Sequence, residues 1–417
     1  MAKGRVWLLG SALTALVVAV ALVTWLLVRP DPYVAPAPSG STPSADPAGA
    51  TRALHALEDA VAAGDRAGAA GLAPDSDQQA GVLLSAVVDN AGQLRVEDFS
   101  MRYVDAVGAV DPSGRWQAAV DATWRFAGFD REPVHEEVLM GFDGDDGGSV
   151  AITSFGGGDR RTPLWLTGPV EVRRSDRSLV LAGTAAEADL LAGRADAAVP
   201  VVRDVLPRWQ GRLVVEVPES EDGLDASLAA EPGTYADIAA VSASVDGTLT
   251  PDSPVHVYVN PAVYDGLDPV GGQVVISHEA AHVATGAPLT SGVPMWLLEG
   301  FADYVALHDV DLPIDTTAGQ IIQQVRRDGA PDHLPGQPEF DQTASHLGAA
   351  YESAWVACLV LADAGGQEAL VRLYERVSRG GELAGPLQSL FGLTEEQLTQ
   401  RWRERLRDLA AASTDGT

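Results

Sequence analysis

The stretch VVISHEAAHVA, residues 274–284, is the segment that decides the fold. It is apolar on both sides of a His-Glu-x-x-His motif and contains neither proline nor glycine, a pattern typical of a buried helix. On a helix His278 and His282 lie four residues apart on one face, so both imidazoles can bind the same ion. Glu279 lies about 100° around the helix from His278, where its carboxylate can reach a water on that ion. Two zinc ligands and a general base are therefore predicted on this helix.

A second apolar segment strengthens this interpretation. A His-Glu-x-x-His match arises by chance in roughly one such chain in a hundred, so the motif alone is moderate evidence. The segment PMWLLEGFADY, residues 294–304, brings Glu299 seventeen positions after His282. A catalytic zinc usually takes three protein ligands and leaves its fourth position to water. Glu299 is the candidate for the third ligand.

HEAAH followed by WLLEGFADY resembles the gluzincin metallopeptidases, in particular the bacterial peptidase MA-like domains. Thermolysin and the zinc aminopeptidases are more distant relatives of this family. The resemblance covers the chain from about residue 180 to its C-terminus. It implies Zn²⁺ bound by His278, His282 and Glu299, with Glu279 as the general base of peptide-bond hydrolysis. It also implies that Asp303, one helical turn after Glu299, orients a ligand histidine.

The residue that stabilises the oxyanion is predicted less directly. Tyr351 is the candidate, because the resembling families place a tyrosine on a helix at about this distance beyond the glutamate ligand. The alternative for Tyr351 is a ring packed into a helix interface. His346 is the rival donor, since a histidine has this role in thermolysin-like enzymes. The G-x-M-E-N segment of the zinc aminopeptidases is missing before His278, so an aminopeptidase is not supported, and endopeptidase versus exopeptidase stays open.

The composition limits the classes of partner. The formal net charge of −30 argues against nucleic-acid binding, because no cluster of cations is available to neutralise phosphates. A hydrophobic content of 46% is sufficient for substantial cores. Cys358 is the single cysteine, which excludes an intramolecular disulfide, and we expect it to be a small buried hydrophobic residue.

The N-terminus has the pattern of a membrane anchor. Residues 6–28 are uncharged and almost wholly apolar, long enough for a transmembrane helix. We predict an uncleaved signal anchor over residues 1–29, since a cleaved signal peptide would have a shorter apolar core. Lys3 and Arg5 precede the span and Arg29 follows it, which predicts a cytoplasmic N-terminus and extracytoplasmic domains. Residues 30–50, rich in Pro, Ala and Ser, are predicted to be a linker.

Residues 51–167 are predicted to form an α+β module. Leu54, Leu57 and Val61 recur at helical spacing, and a second helical segment covers residues 78–89. Alternating strands are predicted at 97–107, 115–126, 135–142 and 149–155. Helices followed by antiparallel strands suggest a cone resembling the nuclear transport factor 2-like fold. The acidic turn at 143–148 lacks the pattern of a calcium-binding EF-hand loop, so we expect a solvated hairpin.

Residues 168–417 are predicted to be the metallopeptidase domain. Strands are expected at 171–174, 178–182, 213–217, 238–244 and 255–259, with helices at 184–209 and 224–230. Further helices, at 318–327, 343–364, 366–379, 386–390 and 394–411, predict a mostly α C-terminal part. The strand at 255–260 is predicted to be an edge strand beside the cleft, where a peptide substrate could pair.

The remaining histidines are not spaced to bind the same ion. His55 and His135 are predicted to be surface or strand residues, and His308 and His333 to be exposed. His256 lies on the predicted edge strand, where it either faces solvent or touches substrate.

The sequence thus favours a membrane-anchored, extracytoplasmic zinc peptidase acting on peptide or protein substrates. The alternatives are a non-catalytic envelope protein that uses the same fold as a binding module, and zinc-dependent hydrolysis of a non-peptide bond. Substrate, oligomeric state and the role of residues 51–167 are not determined by these patterns.

Overall fold

Apolar strands form two β-sheets, and helices pack against both. A computed structural model describes residues 44–144, 149–341 and 346–412. It confirms the predicted mixed α+β class. The predicted membrane anchor at 6–28, most of the linker at 30–50 and residues 145–148 of the acidic turn lie outside the described residues.

The first sheet is an antiparallel meander in the order β1-β2-β3-β4. On β2 every second side chain from Trp116 to Phe126 is buried, which is why this segment forms a strand with one core-facing side. Helix α1 begins at Pro47, inside the predicted linker, because Asp46 caps its first turn. The elements are α1 (Pro47–Ala63), α2 (Arg66–Ala70), α3 (Gln78–Leu94), β1 (Val96–Val107), β2 (Arg115–Phe126), β3 (Val134–Gly144) and β4 (Val150–Phe155).

The second sheet is mixed and has the strand order β5-β6-β7-β9-β8. The central pairs β6–β7 and β7–β9 are parallel, and the outer pairs β5–β6 and β8–β9 are antiparallel. Its elements are β5 (Glu171–Arg174), β6 (Ser178–Ala182), α4 (Ala185–Val205), β7 (Leu213–Val217), α5 (Glu221–Leu228), β8 (Ala240–Ser244) and β9 (Val255–Val259).

The prediction that residues 255–260 form the edge strand is wrong. Strand β9 lies between β7 and β8, and β8 is the outer strand on this side of the described sheet. After β7 the chain passes over the neighbouring position and forms β8 first, and β9 then fills the gap between β7 and β8. Sequence order therefore does not give spatial order here.

The two faces of the second sheet are covered differently. Val180, Val215 and Val257 pack in one apolar core with helix α4 and the helices that follow the sheet. The alternate side chains Leu181 and Val214 belong to the same apolar cluster as Trp124 of the first sheet. The regions predicted as two domains consequently share a hydrophobic core.

The region after β9 is largely helical. Its α-helices are α6 (Pro261–Tyr264), α7 (Pro269–Thr285), α8 (Met295–Ala306), α9 (Ile314–Thr317), α10 (Gly319–Asp328), α11 (Leu347–Gly365), α12 (Gln367–Ser378), α13 (Ala384–Phe391) and α14 (Glu395–Ala412). Short 3₁₀ turns occur at Leu164–Leu166, Ala287–Leu289 and Gln337–Phe340.

Helix α11 is the centre of this region and packs against α8, α10 and α14. Its Cys358 is fully buried, as predicted. Trp402 of α14 donates its indole N–H to the main-chain oxygen of Ser353, 2.8 Å away. By length and composition α11 is the one helix within the described ranges that could cross a membrane, and half of its apolar window is buried in the protein. These contacts are those of a core helix.

Candidate metal centre

Helix α7 carries the His-Glu-x-x-His motif, and local signals determine where it begins and ends. Asp268 accepts hydrogen bonds from two N–H groups of the first turn, and Pro269 takes a position where no hydrogen bond is lost. Gly286 ends the helix with a left-handed φ of 66°. The helix starts five residues before the predicted 274, because the cap outweighs the cost of Gly271 and Gly272.

Helix α8 is brought close to α11 by Gly300. A Cβ at this position would lie 2.3 Å from the main-chain oxygen of Ala354, so only glycine permits the observed approach of the two backbones. Glu299, the neighbouring residue, is 8% exposed. The close crossing of α8 and α11 thus sets the depth at which the carboxylate of Glu299 meets α7.

Three side-chain atoms converge between α7 and α8. Nε2 of His278 and Nε2 of His282 are 3.0 Å apart, and Oε2 of Glu299 is 3.2 Å from each of them. Donor atoms bound tetrahedrally to Zn²⁺ at about 2.0–2.1 Å lie roughly 3.3 Å from one another. Two imidazoles with one carboxylate are also a donor set that catalytic zinc takes. The three buried or half-buried side chains could therefore hold a metal ion.

Asp303 determines which nitrogen of His278 is free. Nδ1 of His278 lies 2.7 Å from Oδ1 of Asp303, and since an ionised carboxylate can only accept, Nδ1 carries the proton. The lone pair of Nε2 then points at the neighbouring donor atoms, as a metal ligand requires. The position agrees with the predicted orienting role of Asp303, which itself stays a prediction.

The charges around the three donors favour a cation. Burial opposes protonation of His278, yet Asp303, Glu299 and Glu279 raise the pKa of its imidazole well above the usual value. For the carboxyl group of Glu299 burial has the opposite effect and would raise the pKa, but the neighbouring His282 and His278 hold this pKa far below its ordinary range. A positive charge at this point is stabilised by the surrounding carboxylates, and a divalent ion would supply that charge.

Glu279 lies beside the three donors and contacts the edge strand. Glu279 is 7% exposed, and burial raises the pKa of its carboxyl group while the histidines and Ser242 lower it. Ser242 of β8 donates to Oε2 of Glu279 at 2.7 Å. Sequence reasoning missed Ser242. The sequence feature that could have identified it is the alternation of side chains along β8: Ser242 points to the same side of the sheet as the buried Ala240, and yet it is polar.

Tyr351 faces the same site from α11. Its ring centroid lies 6.0 Å from that of His278 and 5.1 Å from that of Phe340. Burial and the negative charges of Glu299 and Glu279 raise the pKa of its hydroxyl, which stays protonated at any ordinary pH. The rival His346 is the N-cap residue of α11 and lines a cavity with His333.

His256 is neither exposed nor on the edge of the sheet. It is 1% exposed on the interior strand β9, with Nδ1 2.7 Å from Oε1 of Glu216 and Nε2 3.0 Å from Oδ1 of Asp130. The prediction that it faces solvent or touches substrate is wrong. Its two charged partners compensate for the loss of solvent.

The other histidines lie at the surface, as predicted. The exposed residues are His55, His135, His308 and His333.

Comparisons with known proteins add no assignment: no family model matches the chain, and no curated protein matches its sequence.

Proposed function

We propose that the protein is a zinc-dependent peptidase of the gluzincin type. The observation that carries the proposal is the convergence of His278, His282 and Glu299 within 4.8 Å of one another, beside the buried carboxylate of Glu279. Zn²⁺, when bound there, would lower the pKa of a water molecule and polarise the carbonyl group of a substrate. Hydrolysis of a peptide bond is the reaction that this donor set and base support best.

The protein groups have distinct roles in this proposal. Glu279 accepts a proton from the attacking water and delivers it to the leaving amine, for which its pKa, raised by burial, is suited. Tyr351 keeps its proton and donates a hydrogen bond to the oxyanion that forms on the former carbonyl oxygen. Asp303 holds the ring of His278 in one orientation through the 2.7 Å contact at Nδ1.

Strand β8 is the proposed docking edge for the peptide. Its register pairs Val241 with Tyr258, and the main-chain bonds at both ends of the ladder join residues 239 and 260, and 245 and 254. In an antiparallel ladder every second residue bonds to the partner strand, so the odd-numbered residues bond to β9. The main-chain groups of Ala240 and Ser242 then point to the open side, where an extended substrate can pair. The main-chain oxygen of Ser244 already accepts hydrogen bonds from Arg161 and from the N–H of Gly247.

The finer architecture and the location belong to the same proposal. Residues 168–417 form a gluzincin lobe, and residues 51–167 a module of the nuclear transport factor 2-like type. Residues 6–28 anchor the chain in the cell membrane with the N-terminus cytoplasmic and both folded regions extracytoplasmic. The support for this location is the uncharged apolar run between Arg5 and Arg29.

The test compares the wild type with Glu279→Gln. Zinc content is measured on both proteins, and cleavage is profiled on a mixed peptide library with and without a chelator. We expect the variant to hold as much zinc as the wild type and to lose cleavage, because the amide cannot accept the proton of water. If both bind zinc and leave the library equally uncleaved, the protein is a non-catalytic binding module.

A further inference from the structure

The side chain of Ser242, on the edge strand β8, contacts the proposed base. Oγ of Ser242 lies 2.7 Å from Oε2 of Glu279 and 3.1 Å from the main-chain oxygen of the same residue. The hydroxyl has one proton to donate, and the bond to an ionised carboxylate is the shorter and stronger of the two. Ser242 therefore donates to Oε2, which leaves Oε1 as the oxygen free to take a proton from water.

The same residue faces the open edge of the sheet with its backbone. By the ladder register, the N–H and C=O groups of Ser242 point away from β9, whereas its side chain points across the sheet face to α7. A peptide paired with β8 would bond to the main chain of the residue whose hydroxyl holds Glu279. The docking strand and the base are thus linked within one residue.

We propose that Ser242 is a positioning residue for the base. Its hydroxyl holds the carboxylate of Glu279 in the rotamer in which Oε1 accepts the proton of the attacking water. Because Ser242 belongs to β8, this bond also fixes the position of the carboxylate relative to the strand that receives the substrate. A glutamate side chain has three rotatable bonds, and burial alone does not select one rotamer. This inference rests on the proposed peptidase function.

The experiment uses the full-length, zinc-loaded chain with three variants. Ser242→Ala removes the hydroxyl, and Ser242→Thr keeps it with a side chain suited to a strand. Ser178→Ala is the matched control, since Oγ of Ser178, on β6 of the same sheet, donates at 2.7 Å to Oδ1 of Asp196 on α4, away from the three metal donors. Melting temperature and zinc content are measured for each variant.

Two readouts separate positioning from a structural role. In Ser242→Ala we expect kcat to fall about tenfold with KM within twofold, as for the loss of one hydrogen bond to a charged group. Binding of acetohydroxamate, followed by calorimetry, should weaken by a similar factor, because a hydroxamate held by the metal would hydrogen-bond to the carboxylate that Ser242 keeps in place. Ser242→Thr should restore both quantities to within about threefold, and Ser178→Ala should change neither.

The outcomes are distinct. Equal kcat and equal hydroxamate affinity in Ser242→Ala and wild type overturn the role of Ser242, as does a loss of zinc that accompanies the loss of affinity. If the wild type cleaves no peptide, the proposed function fails, and the hydroxamate titration still decides whether Ser242 positions Glu279.

Discussion

His256 on β9 and Asp130 in the loop after β2 are joined by a buried contact of 3.0 Å between Nε2 and Oδ1. On the other side of the ring, Glu216 of β7 binds Nδ1. Burial lowers the pKa of His256, but Asp130 and Glu216 outweigh it and raise the value to about 9. A protonated imidazole between two carboxylates thus connects the two sheets at neutral pH.

The first prediction concerns the pH dependence of stability. Because the folded pKa of about 9 exceeds the ordinary 6.5, the contribution of His256 is fully present below pH 6.5 and is lost as pH rises through 9. His256→Gln leaves two buried carboxylates without a cation and should cost roughly 3 kcal/mol at pH 6. Melting temperatures measured from pH 6 to 10 should converge for the two proteins. Parallel curves across this range would contradict the assignment.

The second prediction concerns truncation. A chain that begins at residue 168 loses the cover over Leu179, Leu181 and Val214 and the Asp130 partner of His256. We expect this chain to be insoluble or unfolded, since it exposes a contiguous apolar sheet face. A chain that begins at residue 44 keeps these contacts and is the control. Soluble yield and circular dichroism measure the difference, and a folded, zinc-binding 168–417 fragment would show that the two regions are independent.

The third prediction concerns metal affinity. Asp303→Asn weakens the contact that orients His278, and we expect zinc affinity to fall about 10- to 100-fold. The control is Asp309→Asn. Asp309 is exposed, and its carboxylate makes a loose contact of 3.8 Å with another surface residue, His308. Competition with a chromogenic chelator gives both affinities. Equal zinc affinity of the two variants would remove Asp303 from the site.

The fourth prediction concerns the crossing of α8 and α11. Gly300→Ala places a methyl group against the main chain of Ala354, so the helices must separate, at a cost of roughly 2–3 kcal/mol. Displacement of Glu299 should also weaken zinc binding. Gly193→Ala in α4 is the matched control: its Cβ meets nothing within 4 Å, so it should stabilise the helix by up to about 1 kcal/mol. A Gly300→Ala protein with wild-type melting temperature would contradict the close approach.

Local patterns were enough to predict most of the elements. The strand 115–126 and the strands 171–174, 178–182, 213–217 and 255–259 agree with the structure to the residue, because alternation and bounding turns are local signals. The spacing of His278 and His282 likewise indicated a common site, since residues four apart lie on one face of a helix. Glu299, on a different helix, was predicted from the second motif and the family that it resembles.

Spatial neighbourhoods were beyond such patterns. The order of β8 and β9 depends on which strand reaches the gap beside β7, and no local propensity records this. The burial of His256 depends on Asp130 and Glu216, which lie 126 and 40 residues away along the chain. A histidine without partners would be exposed, so the prediction failed where long-range charge pairing reverses the usual preference.

The open side of β8 has a consequence for handling the protein. Within the described residues no strand covers this edge, and an uncovered strand can pair with its counterpart in a second molecule, the first step of aggregation. The small neutral side chain of Ser242 does not prevent such pairing, whereas repulsion between molecules that each carry a charge of −30 opposes it. Since 1 M salt shortens the reach of that repulsion to about 3 Å, concentrated stocks should keep longest in buffers of low ionic strength.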